Sequence, residues 1–248
     1  MGSLFRNEWL KLKYNKTIWL FWGMGIVLVA LMGMLNAERD LEMNLYGYTA
    51  SFAYMRMAGT FVVMLLAPVA GAVFTQEFKQ GTMHNTLSCG VSRLQYFAVK
   101  AVCVFAADLA MFLLCLAEYV CVRTAVKGWV PGSQAAYPDY GLASLAFQSG
   151  TVLLLCAYIA LFILVAVSVR KPAIVYLSGA AAVMGEIALM NYAPGYRGVI
   201  PAVIHMYDMA AEGRVLTPEF AGLFFQGAVM GIAFLALAVL IFLKRDIN

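Results

Sequence analysis

Three carboxylates stand inside otherwise apolar runs of this chain: Asp108, Glu118 and Glu186. An isolated carboxylate is costly to bury in hydrocarbon, so a charge at such a position normally marks a substrate or ion path or a pairing with a neighbouring helix. Asp108 lies near the middle of the run Phe97–Val122. Glu118 follows ten residues later, about 80° around a helix of 3.6 residues per turn, so the two could line one broad face. Glu186 lies nearer the outer end of its run, where snorkelling or water could satisfy it. Two readings stand side by side: a polar path or substrate contact, and carboxylates hydrogen-bonded to neighbouring helices or protonated in place. Metal and nucleophile chemistry find little support. His84 and His205 fall on opposite sides of the membrane and cannot share an ion, and none of the five cysteines forms a CxxC pair. No catalytic residue and no metal site are expected.

A second stretch, EFKQGTMHNTLSCGVSRLQYFAVK (Glu77 to Lys100), connects two apolar runs and is far longer than a simple connection needs. Gly81 breaks any helix descending from the preceding run, and Thr82 can cap a new short helix through Ser88. Cys89-Gly90 ends it, glycine being the usual residue past a helix C-terminus. Ser92 with Gln95 makes a capping box, so the next long helix starts there, with Arg93 and Lys100 marking its inner end. A short helix carrying Met83, His84, Asn85, Thr86 and Leu87 suits docking into a groove of another protein. A solvated loop without a partner would satisfy the same residues.

The elements that position these residues follow from composition. Hydrophobic residues make up 63% of the chain and charged ones 12%, against roughly half and a quarter in soluble domains. Six runs are long and apolar enough to cross a bilayer: about 17–35, 58–74, 97–122, 143–169, 173–192 and 220–243. They are continuously apolar rather than alternating, which argues against a β-barrel. The expectation is an all-α integral membrane protein, one transmembrane domain over residues 1–248. Lys and Arg concentrate in the segments that share a side with the N-terminus, which puts both termini in the cytoplasm. The net charge of +4 is this inner bias and not a nucleic-acid footprint. Residues 1–16 place Phe5, Trp9 and Leu12 on one stripe beside Arg6, Lys11 and Lys13, the pattern of a helix lying in the inner interface against anionic lipid. The basic lead and apolar run that open the chain are long for a cleavable signal, so the first run is read as retained. Val199–Met209 is mostly apolar but too short to span, as in a re-entrant or interface-lying helix. Pro68 could kink the second span, and the small residues from Ser178 to Gly185 allow close helix packing.

The pattern from Glu77 to Lys100 resembles the loop between the second and third spans of ABC-2 type transporter permeases. The matching residues are Glu77, Gly81, Thr82, Leu87, Ser92, Arg93 and Lys100. The start NEWLKLKYNKTIWL resembles that family's N-terminal interfacial helix, and FLKRDIN resembles its usual end; the size and loop are most similar to permeases of the lantibiotic-immunity and bacitracin-export kind. The resemblance implies a six-helix half-transporter in a bacterial plasma membrane, paired with a second permease copy or paralogue. Cytosolic ABC ATPase subunits would bind the ATP and magnesium, and this chain would hold no cofactor. The short helix would be the coupling helix, with Glu77, Gly81, Thr82, Met83, His84, Asn85, Thr86, Leu87, Ser88 and Arg93 as the ATPase-coupling residues. The chain has no G-x-x-x-x-G-K-[ST] P-loop, in keeping with a separate motor. The implied cargo is an amphipathic antimicrobial peptide or lipid-like compound. From other classes, a proton-coupled secondary transporter would use Asp108, Glu118 and Glu186 as relays but expects inverted repeats, which the sequence lacks. A membrane scaffold or intramembrane enzyme is the third reading, and the protease motif H-E-x-x-H is missing.

Overall fold

The computed structural model describes residues 2–39, 60–80, 90–128, 140–193, 195–196, 198–212 and 214–244. Among them the regular structure is helical: α1 (Gly2–Tyr14), α2 (Lys16–Arg39), α3 (Thr60–Met64), α4 (Ala67–Gln80), α5 (Arg93–Lys127), α6 (Tyr140–Val169), α7 (Pro172–Tyr192), α8 (Val199–Ala211) and α9 (Pro218–Lys244). Six candidate spans result: α2, the pair α3–α4, α5, α6, α7 and α9. Each coincides with a run read from the sequence. The proposed short helix at Thr82–Ser88 lies outside the described residues.

Close approach of backbones holds the bundle together, as expected where lipid removes the usual hydrophobic drive between helices. On α2, a Cβ at Gly25 would collide with Met111 of α5, and one at Gly33 would lie 3.0 Å from Val122. On α9, Gly227 fits against the backbone of Leu154 in α6, a Cβ there meeting its nitrogen at 3.1 Å. Among the described helices, α6 and α9 share the most extensive packing. Near the α1 end an aromatic cluster seals the core, with the Phe97 ring tilted against Phe74 at 5.5 Å and against Phe242 at 5.4 Å.

The second span is broken rather than merely bent. Pro68 has no N–H to give Met64 and its ring would strike that carbonyl in a continuous helix. Leu65 and Leu66 accordingly form a tight turn, with Leu65 N donating to Val62 O at 2.9 Å and Leu66 N to Val63 O at 3.2 Å. The freed Met64 carbonyl is pressed against Gly179 of α7, where any Cβ would land on it and lie 3.0 Å from the Ala67 methyl. One of the small residues between Ser178 and Gly185 is therefore used inside the chain, whereas a Cβ at Gly185 would meet nothing within 4 Å.

The third span begins where its capping box predicts. Gln95 N donates to Ser92 Oγ at 3.2 Å and Ser92 N to Gln95 Oε1 at 3.4 Å, while Gly90 takes φ +85°, a conformation that glycine reaches at little cost. Helix α1 departs from the single stripe expected of it. Phe5 and Trp9 stack at 6.2 Å and remain exposed, whereas Leu12 turns into the bundle beside the buried Glu8. The reason is the second demand on this helix: its inner face carries charges that have partners in the bundle.

Candidate functional site

Helix α1 meets α4 and α5 through two acids and two bases drawn from three elements. Glu8 and Lys11 lie one turn apart on α1, Glu77 sits near the end of α4, and Lys100 lies two turns into α5. Lys100 is only 2% exposed, Glu8 4% and Glu77 6%. Lys100 Nζ donates to Glu8 Oε2 at 2.7 Å and to the Val73 carbonyl at 2.8 Å, and lies 3.3 Å from Glu77 Oε2. Two hydrogen bonds and an ion pair thus hold the ammonium. Lys11 Nζ donates to Glu8 Oε1 at 2.7 Å and also to Glu77 Oε1, and the Tyr96 hydroxyl donates to Glu77 Oε2. Lys100 further lies 5.0 Å from the centre of the Tyr96 ring. The charges alternate around a closed ring, Glu8–Lys100–Glu77–Lys11, whose sum is zero.

Burial works to raise the Glu8 carboxyl, but the charge of Lys100 and hydrogen bonds from Lys100 and Lys11 outweigh it. Glu8 therefore stays below the ordinary value of 4.5 and is ionised at neutral pH. Burial likewise works to lower the Lys11 ammonium, and hydrogen bonds to Glu77 and Glu8 reverse the effect, raising it above 10.5. A cleft of about 630 Å³ opens beside the ring, bounded by the α1–α2 elbow and α4. Across its mouth Asn15 Nδ2 donates to Gln76 Oε1 at 3.3 Å. The elbow is itself fixed, by Thr17 N donating to Asn15 Oδ1 at 3.0 Å and Trp19 Nε1 to the Lys13 carbonyl at 2.7 Å.

The ring stands at both feet of the segment 81–89, since α4 leads into it and α5 leads out. Of the residues expected to couple to a partner, Glu77 belongs to the ring and Arg93 reaches the last turn of α9, donating to the Leu243 carbonyl at 3.3 Å. Gly81, Thr82, Met83, His84, Asn85, Thr86, Leu87 and Ser88 lie outside the described residues. Sequence reasoning missed Glu8 and Tyr96, read Lys11 as a basic flank toward lipid, and read Lys100 as the inner end of its span and a residue of the family resemblance. The available signal was spacing: Glu8 and Lys11 are three apart, Tyr96 and Lys100 four apart, and each pair shares a helix face.

The three intramembrane carboxylates are not brought together. Asp108 is fully buried on α5, and neither of its oxygens has a hydrogen-bond partner among the described residues. Glu118 is half-buried on the same helix, about 15 Å further along the axis at 1.5 Å per residue. Glu186 serves the backbone of another element: its oxygens accept from Val199 N at 3.2 Å and Ile200 N at 2.7 Å, the first N–H groups of α8. Helix N-termini attract anions through just these orphan donors. The carboxylate thus seats α8 across the end of the bundle opposite the ring. His205 Nε2 and Glu219 Oε1, 3.0 Å apart, tie α8 to the start of α9.

A comparison with curated proteins gave no match. A family model does match: it describes an ABC-2 family transporter protein and aligns with residues 4–183. That range takes in α1, the ring, the segment 81–89 and the intramembrane Asp108 and Glu118, and ends within α7. Six apolar helices and this match make the protein a multi-pass membrane transport component, of a kind that partners an ABC ATPase subunit. With well over half of its length matched, the chain belongs to the ABC-2 family of transporter proteins.

Proposed function

We propose that this chain is the permease subunit of an ATP-binding-cassette exporter that moves an amphipathic substrate, an antimicrobial peptide or lipid-like compound, with energy from a separate cytosolic ATPase. The observation that carries the coupling route is the buried ring of Glu8, Lys100, Glu77 and Lys11. It joins α1 to both helices that flank residues 81–89, so a push delivered to that segment reaches three elements at once. In this reading Thr82–Ser88 is the contact with the ATPase, α1 lies in the cytoplasmic interface of a bacterial plasma membrane with Phe5 and Trp9 toward lipid, and both termini are cytoplasmic. ATP and magnesium belong to the motor, and a second permease copy or paralogue completes the path. The wide apolar faces of α2, α7 and α9 leave room for lipid and that second permease. Asp108 and Glu118 remain candidates for contact with substrate.

Scrambling Thr82–Ser88 should leave insertion and detergent monodispersity unchanged and abolish co-purification with the cognate ATPase. Retention of the ATPase by the scrambled protein would refute the coupling assignment.

A further inference from the structure

The open cleft beside the ionic ring measures about 630 Å³, where a single water needs about 10–15 Å³. Its polar lining includes Lys11, Tyr14, Asn15, Lys16, Thr17 and Gln76, together with the buried Glu8, Glu77 and Lys100 of the ring. Two acids at a cleft would repel an anion if their oxygens faced it unpaired. All four oxygens are engaged instead, those of Glu8 by Lys11 and Lys100 and those of Glu77 by Lys11 and Tyr96. The ring is neutral, so the charge left over in the lining is that of Lys16. Lys16 is exposed and joins no ion pair among the described residues. Lys11 gives two of its three N–H groups to Glu8 and Glu77 and keeps the third, on a side chain 50% exposed. The cleft is therefore net positive, with donors to spare on both sides of the elbow.

An apolar stripe starts where the cleft ends. Leu20 follows Lys16 by four residues, and Met24, Val27 and Leu31 continue the same face of α2 at helical spacing. These four are 63, 46, 58 and 49% exposed, so no described element covers them. Trp9 and Trp19 are exposed at the same end of the molecule, and tryptophan settles at the level of lipid head groups. A free phosphate would meet the two lysines and leave the stripe bare. A ligand that satisfies both parts carries an anionic head and an apolar tail in one molecule.

We propose that this cleft binds one anionic phospholipid, its phosphate held between Lys11 and Lys16 and an acyl chain laid along Leu20, Met24 and Val27. Asn15 and Gln76 meet across the mouth at 3.3 Å, and each has an amide N–H left for head-group oxygens. Because Lys11 also bonds Glu8 and Glu77, the bound lipid braces α1 against α4. A basic helix on an anionic surface attracts many lipids loosely, whereas this site takes one lipid in one place and leaves the exposed Arg6 and Lys13 outside it. The proposal rests on α1 lying in a membrane interface and not on the ATPase or the cargo, so it can fail while the coupling assignment stands.

The test titrates the full chain in detergent with dioctanoyl phosphatidylglycerol and counts bound lipids by native mass spectrometry. One lipid should bind ahead of all others, and dioctanoyl phosphatidylcholine should bind far more weakly. Inorganic phosphate at equal concentration should not displace the lipid. Lys16→Gln should weaken the first binding step about fivefold, the worth of one basic residue beside anionic lipid. Gln76→Glu places a carboxylate at the mouth and should weaken it at least as much. Lys13→Gln and Arg6→Gln, outside the cleft, should match the wild type. Thermal melts check that the variants fold, and the comparison of two lipids and phosphate needs no variant. Equal losses in Lys13→Gln and Lys16→Gln mean a diffuse basic belt and overturn the discrete site. Displacement by inorganic phosphate means an anion cleft that makes no use of the α2 stripe, and overturns the lipid as its occupant. Equal binding of the two lipids overturns the role given to Lys11 and Lys16.

Discussion

Replacing Lys100 by methionine tests whether the ionic ring holds α1 to the bundle. The side chain is 2% exposed and satisfies Glu8 at 2.7 Å, the Val73 carbonyl at 2.8 Å and Glu77 at 3.3 Å. Its loss leaves two buried acids facing Lys11 alone, a base whose side chain is 50% exposed, so a neutral ring becomes a buried net charge of −1. Removing one member of a buried, hydrogen-bonded ion pair costs about 3–5 kcal/mol, mostly through the charge left behind. At about 2–4 °C per kcal/mol for a protein of this length, the melting temperature of Lys100→Met should fall by about 6–20 °C. A maleimide dye that fluoresces on reaching buried thiols reads this directly, since Cys103 lies one turn from Lys100 and Cys103 and Cys115 are both fully buried.

The double variant Glu8→Gln with Lys100→Met decides the cause. It restores neutrality and leaves the Glu77–Lys11 pair, so if the stranded charge dominates, the double variant should melt well above Lys100→Met. The expected coupling is about 1–3 kcal/mol, the range for residues in one network. Were Lys100→Met to melt within about 2 °C of the wild type, or the double variant to lose the sum of both single effects, the ring would be no more than a surface pair and the reasoning would fail.

Glycine positions on α7 should separate an internal contact from a free surface. Gly179→Leu forces a side chain into the Met64 carbonyl and the Ala67 methyl and should cost about 1–3 kcal/mol or more, the range for overpacking. Gly185→Leu meets open space and should leave the melt of the isolated chain unchanged. The acid limb of stability should also carry the mark of Glu8. Its folded carboxyl titrates below the unfolded value of 4.5, so its contribution is full above that pH and is lost as pH falls through the lower folded value. Lys11, raised above 10.5, contributes below that pH and loses its share as pH rises through the higher folded value. The difference between wild-type and Glu8→Gln melting temperatures should therefore be constant from about pH 5 to 10 and shrink in acid; a difference that grew in acid would contradict the charged state assigned to Glu8.

The parts of the fold that depend on local composition were legible in the sequence. Long apolar runs can be satisfied in lipid only as helices, and Ser92 with Gln95 start α5 through bonds between near neighbours. Helix α8 was legible as a helix too short to span. The ring was not, because Glu8 and Lys100 are 92 residues apart, and a charge near the end of an apolar run reads equally well as a snorkelling end marker. Glu186 was visible as an intramembrane carboxylate, but its partners are backbone N–H groups of Val199 and Ile200, and every residue but proline carries such a donor. The break in the second span was signalled by Pro68, yet only the glycine on α7 shows where the freed carbonyl goes. Composition fixes elements, whereas polar contacts between distant elements depend on packing that no local pattern encodes.

Magnitudes indicate which parts of the second span can move in a transport cycle. Swinging a two-state equilibrium from 1:99 to 99:1 takes about 5.5 kcal/mol, and opening the ionic ring would consume about 3–5 kcal/mol of that. Bending between Leu65 and Leu66 breaks no helical bond to Met64 that Pro68 has not already removed. Helix α4 also carries both Glu77 and Val73, whose oxygens hold Lys100. A push at residues 81–89 should therefore move α1, α4 and the base of α5 as one block, with the bend taken up at the break. Spin labels on α1 and α5 should keep their separation between nucleotide-free and ATP-bound complexes, while labels on α3 and α4 change theirs. If the α1–α5 distance changed and the α3–α4 distance stayed fixed, the ring itself would be the moving part and the second span would act as a rigid rod.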